Sequence, residues 1–142
     1  MTCFVDTDVL VAWVNRSEGR HQRARELLRD ALSGLWGSVF VTDFVVDEAL
    51  TLLMARGAPL ETADQILSIA LAQVIPGAAP PLPLARVSDE AYRHAVPLFR
   101  RHYRRGLSFT DCTSIAMVEE RRARAILSFD RGFDGLIPRM PS

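Results

Sequence analysis

The chain has 142 residues, 49% of them hydrophobic, and its 17 basic residues (all Arg, no Lys) balance 17 acids for a formal net charge of zero. That length suits a single domain over residues 1–142 with a proper core and no disordered tract. No apolar run reaches the ~18–20 residues of a membrane span, and the amino terminus lacks a basic-then-apolar secretory pattern, so a cytoplasmic protein without membrane attachment is expected.

Phe4–Val11, FVDTDVLV, is the first apolar run, yet it contains Asp6, Thr7 and Asp8. Cys3–Asp6 reads as a short buried strand, with helix following through about Val14. Burying an unpaired carboxylate is costly. Either Thr7 or Asp8 caps a helix that begins at Val9, or a carboxylate is held at the strand's carboxyl end for a cation. Ser17 is placed to cap an amphipathic helix through Leu32, with Ala24, Leu27, Leu28 and Ala31 on one side. Gly37–Thr42 is a short β-branched strand. Asp43 to about Arg56 reads as helix, stopped by Gly57-Ala58-Pro59. Leu60–Val74 is another helix, apolar along Ala63, Ile66, Leu67, Ala70, Leu71 and Val74.

Ile75–Pro83 is a Pro-rich connection. Leu84–Ser88 reads as a strand, and Asp89–Tyr103 as a helix that Pro97 kinks or restarts. Phe109 to about Arg122 is helical, Ala125–Phe129 is a strand, and Leu136–Pro138 is expected as a last edge strand. Alternating strands and helices predict a parallel sheet covered on both faces. Cys3 and Cys112, far apart in apolar sequence, read as buried thiols.

In open α/β sheets, ligands collect at the carboxyl ends of the strands. Asp130 follows the strand AILSF as Asp6 follows CFV. Glu48 has Phe44 and Leu52 at i−4 and i+4, so it projects from an apolar stripe toward the core. Asp111 opens a helix on the face of Ile115 and Val118. Two of these acids also have structural explanations: Ser108-Phe109-Thr110-Asp111 fits a capping box, and Asp130 fits a turn before Arg131-Gly132. Taken together, four converging carboxylates repel one another unless a hard cation such as magnesium or manganese joins them. Ala91–Thr110 holds no acid but contains Arg93, Arg100, Arg101, Arg104 and Arg105. That is either a solvated helix face or a phosphate-binding patch.

FVDTDVLVAWV, the mid-chain DEALTLL and LSFTDCTSIAMVEERRARAILSFDRGFDGL together resemble the PIN domain, specifically bacterial VapC-type toxins, over Phe4 to about Leu136. The resemblance implies a three-layer α/β/α sandwich with a five-stranded, mainly parallel sheet. It also implies a metal-dependent endoribonuclease, with Mg²⁺ or Mn²⁺ held by Asp6, Glu48, Asp111 and Asp130. Thr7 and Thr110 match hydroxyl positions beside that quartet, and Phe133 matches a packing aromatic. Asp8 departs from the usual Asn or Ser and adds a fifth carboxylate. Arg100, Arg101, Arg104 and Arg105 would hold the RNA substrate. A cognate antitoxin and a homodimer are the implied partners; Asp43–Arg56 and Leu60–Val74, with Trp13 and Trp36, either supply such surfaces or, for most of those residues, pack in the core. Two alternatives remain: a haloacid-dehalogenase-like phosphatase using Asp130 and Asp134, and a non-catalytic RNA-binding module.

Overall fold

The computed structural model describes residues 1–77 and 80–141. The elements run β1 (Thr2–Val5), α1 (Thr7–Val14), α2 (His21–Leu32), β2 (Ser38–Thr42), α3 (Asp43–Ala55), α4 (Leu60–Leu71), β3 (Leu84–Ala85), α5 (Asp89–Arg101), α6 (Phe109–Glu120), β4 (Ala125–Leu127) and β5 (Arg139–Met140). The strands form one sheet in the order β3-β2-β1-β4-β5, and every pairing is parallel.

The strands' period of two sorts the core into two layers. Cys3, Val5, Val39, Val41 and Leu127 face one way, onto buried residues of α1 to α4 such as Leu10, Leu28, Val45 and Ile66. Phe4 and Ile126 face the other way, onto Ala95 and Leu98 of α5 and Ile115 and Met117 of α6. Helices therefore cover both faces of a parallel sheet, and the expected three-layer sandwich is the observed one. Cys3 and Cys112 are buried thiols on opposite sides of it. Gly37, at φ +89°, carries the chain into β2, where a Cβ would lie 2.3 Å from the Met1 carbonyl oxygen. Among the described residues no helix is long and apolar enough to cross a membrane.

Several boundaries differ from expectation. Ser17 caps nothing: its N–H is taken by Asn15 Oδ1 (3.2 Å), the turn continues, and α2 starts at His21 after Arg20. α1 begins at Thr7, not Val9, with Asp6 in the cap position. α4 ends at Leu71, not Val74, and Leu67, Leu71 and Val74 of that apolar stretch are exposed. β3 leaves the ladder after Ala85 because Asp43 Oδ1 accepts the Val87 N–H (2.8 Å) and Ser88 Oγ caps α5. α5 runs through Pro97, its buried face of Ala91, Ala95 and Leu98 holding it to the core. β4 stops at Leu127. The last strand is Arg139–Met140, since Leu136 and Ile137 are still bonded back to Phe133 in a turn. The expected Pro-rich connection includes residues 78–79, which lie outside the described residues.

Candidate active site

β1 and β4 are adjacent and parallel, with Val5 opposite Leu127, so the residues that follow each strand meet at one edge. Those residues are Asp6 and Ser128. Asp6 is 3% exposed and occupies the cap position of α1, yet its carboxylate accepts no bond from the helix. Ser128 Oγ donates to Asp6 Oδ2 (2.7 Å), while Asp6 Oδ1 and the buried Thr7 Oγ1 have no hydrogen-bond partner among the described residues. Burial, then the charges of Asp8 and Asp111, pushes the Asp6 carboxyl well above its ordinary range. Asp8 turns back to the loop after β4, with Oδ2 accepting the Phe129 N–H (3.1 Å). Its pKa is also raised, chiefly by burial.

The head of α6 supplies the second part. Ser108 Oγ accepts the Asp111 N–H (3.0 Å) and Asp111 Oδ2 accepts the Ser108 N–H (2.9 Å), so the predicted capping box is present. The same Ser108 hydroxyl lies 3.4 Å from Glu48 Oε2, joining α3 to the cluster. Glu48 is half-buried beside this helix head; the expected projection into the core does not occur, because α3 turns that side toward α6. Burial, with the Glu48 and Asp130 charges behind it, raises Asp111 from 3.8 to about 6. Thr110 is half-buried and bonds none of the acids among the described residues.

The third part is the turn after β4. Asp130 is exposed and accepts the Gly132 N–H (2.8 Å), the expected turn contact, while Ser128 Oγ accepts its own N–H (3.0 Å). Phe133 is fully buried and anchors the turn. Asp134 faces away, with both carboxylate oxygens held by Arg139 (2.7 and 3.2 Å), and that contact lowers its pKa. The acidic pair that a phosphatase would need is therefore split. Arg105 donates to the carbonyls of Gly132 (3.0 Å) and Asp134 (2.7 Å), so it braces this turn instead of standing free in a basic patch. Arg100, Arg101 and Arg104 surround Phe99 and Tyr103 in a shallow cleft, exposed to solvent.

Asp6, Asp8, Glu48, Asp111 and Asp130 thus share one edge of the sheet and sense one another's charge. Among the described residues no three acidic, histidine or cysteine side chains are close enough to cage a metal ion as they stand. Two carboxylates 4 Å apart at an effective dielectric near 20 repel by about 4 kcal/mol, which opposes tighter approach without a counter-charge. The donor chemistry nevertheless fits a hard divalent cation: oxygen ligands only, and one buried carboxylate oxygen without a partner among the described residues. Histidine chemistry has no foothold here. His21 Nδ1 contacts the Ala12 carbonyl, His94 pairs with Glu119, and His102 ends α5.

Sequence reasoning missed Ser128, whose single hydroxyl links Asp6 to the Asp130 backbone; a small hydroxyl residue between a strand and an Asp was the available signal. It also missed that Ser108 reaches Glu48.

Residues 3–136 match the family model of the PIN domain. The chain is 29% identical over 134 residues to a VapC ribonuclease of Archaeoglobus fulgidus, covering 94% of this chain and 80% of that protein. Among solved structures it is similar to Mycobacterium tuberculosis VapC20, a sarcin–ricin-loop-cleaving toxin: TM-score 0.76, 25% identity and 92% of each chain. It also shares its fold with a chain of the Rickettsia felis VapBC2 complex, with TM-score 0.62, 15% identity, and 97% and 94% of the two chains covered. With a parallel five-stranded sheet, acids gathered at its carboxyl edge and a match over nearly its whole length, this chain belongs to the PIN-domain family.

Proposed function

We propose that this chain is a metal-dependent endoribonuclease, the toxin of a VapC-type toxin–antitoxin pair. The observation that carries this is the buried Asp6 with its unpartnered Oδ1, set at one sheet edge with Asp111, Glu48 and Asp130 in a PIN-family chain. The relatives named as a ribonuclease and as a sarcin–ricin-loop-cleaving toxin support RNA as the substrate.

Asp6, Glu48, Asp111 and Asp130 would hold Mg²⁺ or Mn²⁺, with Thr7 beside Asp6. Such a cation, when bound, supplies a more acidic water and offsets charge that develops on the phosphate. The chain's own residues prepare for it. Ser128 fixes one oxygen of Asp6 and leaves the other, buried one for a cation, and the capping box holds Asp111 at the head of α6. Asp8 ties α1 to the loop that bears Asp130, and Arg105 and Phe133 hold the far side of that loop. Asp130, the most solvent-open of the four, would orient water.

The exposed apolar residues Leu60, Leu67, Leu71, Val74 and Ile75 offer a surface for an antitoxin or a second copy of the chain. The VapBC composition of a structural relative supports an antitoxin. The deciding experiment incubates the purified chain with RNA in Mg²⁺, in Mn²⁺ and in EDTA. Cleavage with either metal and none in EDTA is expected; no cleavage of any RNA with either metal would refute the proposal.

A further inference from the structure

Beside the acidic edge lies a second constellation that sequence spacing does not bring together. Arg20, Arg23, Arg131 and Arg139 surround Phe129 and Pro141 in one pocket. Arg139 is its built floor. Its side chain is 8% exposed, two of its nitrogens hold Asp134, and Nη1 donates to the carbonyls of Ser128 (3.1 Å) and Pro141 (2.8 Å). The Arg20 guanidinium stands 5.0 Å from the centre of the Phe129 ring. Arg20, Arg23 and Arg131 are exposed, and none forms an ion pair among the described residues. α2 also begins here, with no side-chain cap and no acid in its first turn, which adds to the positive potential.

Asp134 already offsets Arg139, which leaves the three exposed guanidinium groups of Arg20, Arg23 and Arg131 to meet an anion, and guanidinium forks match phosphate oxygens. Phe129 connects the pocket to the acids: its N–H is held by Asp8, and it also lines a cleft with Asp8, Glu18 and Arg20. Arg131 directly follows Asp130. An anion seated here thus lies beside the acidic edge. A phosphate flanking a bond held at the acids meets that condition, because RNA repeats its charge along the strand.

We propose that Arg20, Arg23 and Arg131, on the floor of Arg139, seat a backbone phosphate of substrate RNA next to the bond to be cleaved. This pocket, and not the Arg100–Arg104 cleft, then sets RNA affinity. The proposal rests on the ribonuclease function above.

The test uses a labelled single-stranded RNA oligonucleotide and fluorescence anisotropy over a salt series, in an Asp111→Asn background that leaves the RNA intact. Arg20→Gln with Arg23→Gln, and separately Arg131→Gln, should each raise Kd about tenfold and flatten the dependence of log Kd on log salt by about one. Arg100→Gln with Arg101→Gln and Arg104→Gln should change both far less. In the cleaving chain the pocket variants should raise KM and leave kcat nearly unchanged. Unchanged Kd and salt slope in the pocket variants would overturn the proposal, as would loss of binding to an oligoglutamate peptide with RNA binding intact, which would assign the pocket to an acidic protein partner. If the wild type cleaves no RNA, the ribonuclease function fails, and the anisotropy series still decides the pocket.

Discussion

Replacing Asp111 with Asn removes one charge from the acidic edge while leaving its framework in place. The amide keeps an oxygen where Asp111 Oδ2 now accepts the Ser108 N–H at 2.9 Å, so the capping box retains its form. The charge that is lost is an unfavourable one. Burial first, then Glu48 and Asp130, lift this carboxyl from 3.8 to about 6 in the folded chain. Above pH 6 both folded and unfolded chains are ionised and the native state bears the whole penalty. Between pH 6 and pH 4 the native chain holds a proton that the unfolded chain has lost, so this group's penalty shrinks as pH falls, and it is gone once both are protonated.

A rise of about two pH units corresponds to about 3 kcal/mol, and screening of a group in partial contact with solvent reduces that to roughly 1–2 kcal/mol. For a chain of this size that is a shift of about 2–8 °C in Tm. Thermal unfolding in EDTA should therefore show Asp111→Asn melting above the wild type at pH 7, with the difference closing near pH 4. Adding Mg²⁺ or Mn²⁺ should raise the Tm of the wild type more than that of the variant, because a cation that binds only the folded chain stabilises it. Cleavage should be lost. A lower Tm for the variant at pH 7, by the ~0.5–2 kcal/mol that a lost cap costs, would refute the reasoning and leave Asp111 a purely structural residue.

Asp130→Asn should lose most cleavage, whereas Asp134→Asn, whose carboxylate is exposed and occupied by Arg139, should retain nearly all of it; equal severe losses with intact folding would enlarge the site. Cleavage products should carry 5′-phosphate and 3′-hydroxyl ends, as attack by water with the 3′-oxygen leaving gives, and metal-independent cyclic phosphates would contradict the acid site. Arg105→Ala should lower kcat more than RNA affinity, because it releases the turn bearing Asp130; a loss confined to binding, measured by anisotropy with the same RNA, would return Arg105 to the basic patch. Ser128→Ala removes the one hydrogen bond that lowers the Asp6 pKa from a side chain, so half-maximal cleavage should move to higher pH, and an unchanged pH profile would remove Ser128 from the site.

The alternation of strand and helix, with its period-two and helical apolar patterns, already specified a parallel sheet covered on both faces. In parallel sheets the strands end at one edge, so Asp6, directly after β1, and Asp130, a short turn after β4, share it. The Ser108–Asp111 capping box was equally legible, since it depends on contacts within a few residues. What periodicity could not supply was adjacency. Ser128 reaches Asp6 across 122 residues only because β4 lies next to β1. Glu48 meets Ser108 at the head of α6, not the core, only because α3 lies against that helix. Arg105 looked like one member of a basic run, and Asp134 like a twin of Asp130, until the turn after β4 and the strand β5 claimed them. The same strand order draws Arg20, Arg23, Arg131 and Arg139 into one pocket from opposite ends of the chain. Local pattern decides which elements form and which way each side chain leaves them; strand order and helix packing, set by burial over the whole molecule, decide which side chains meet.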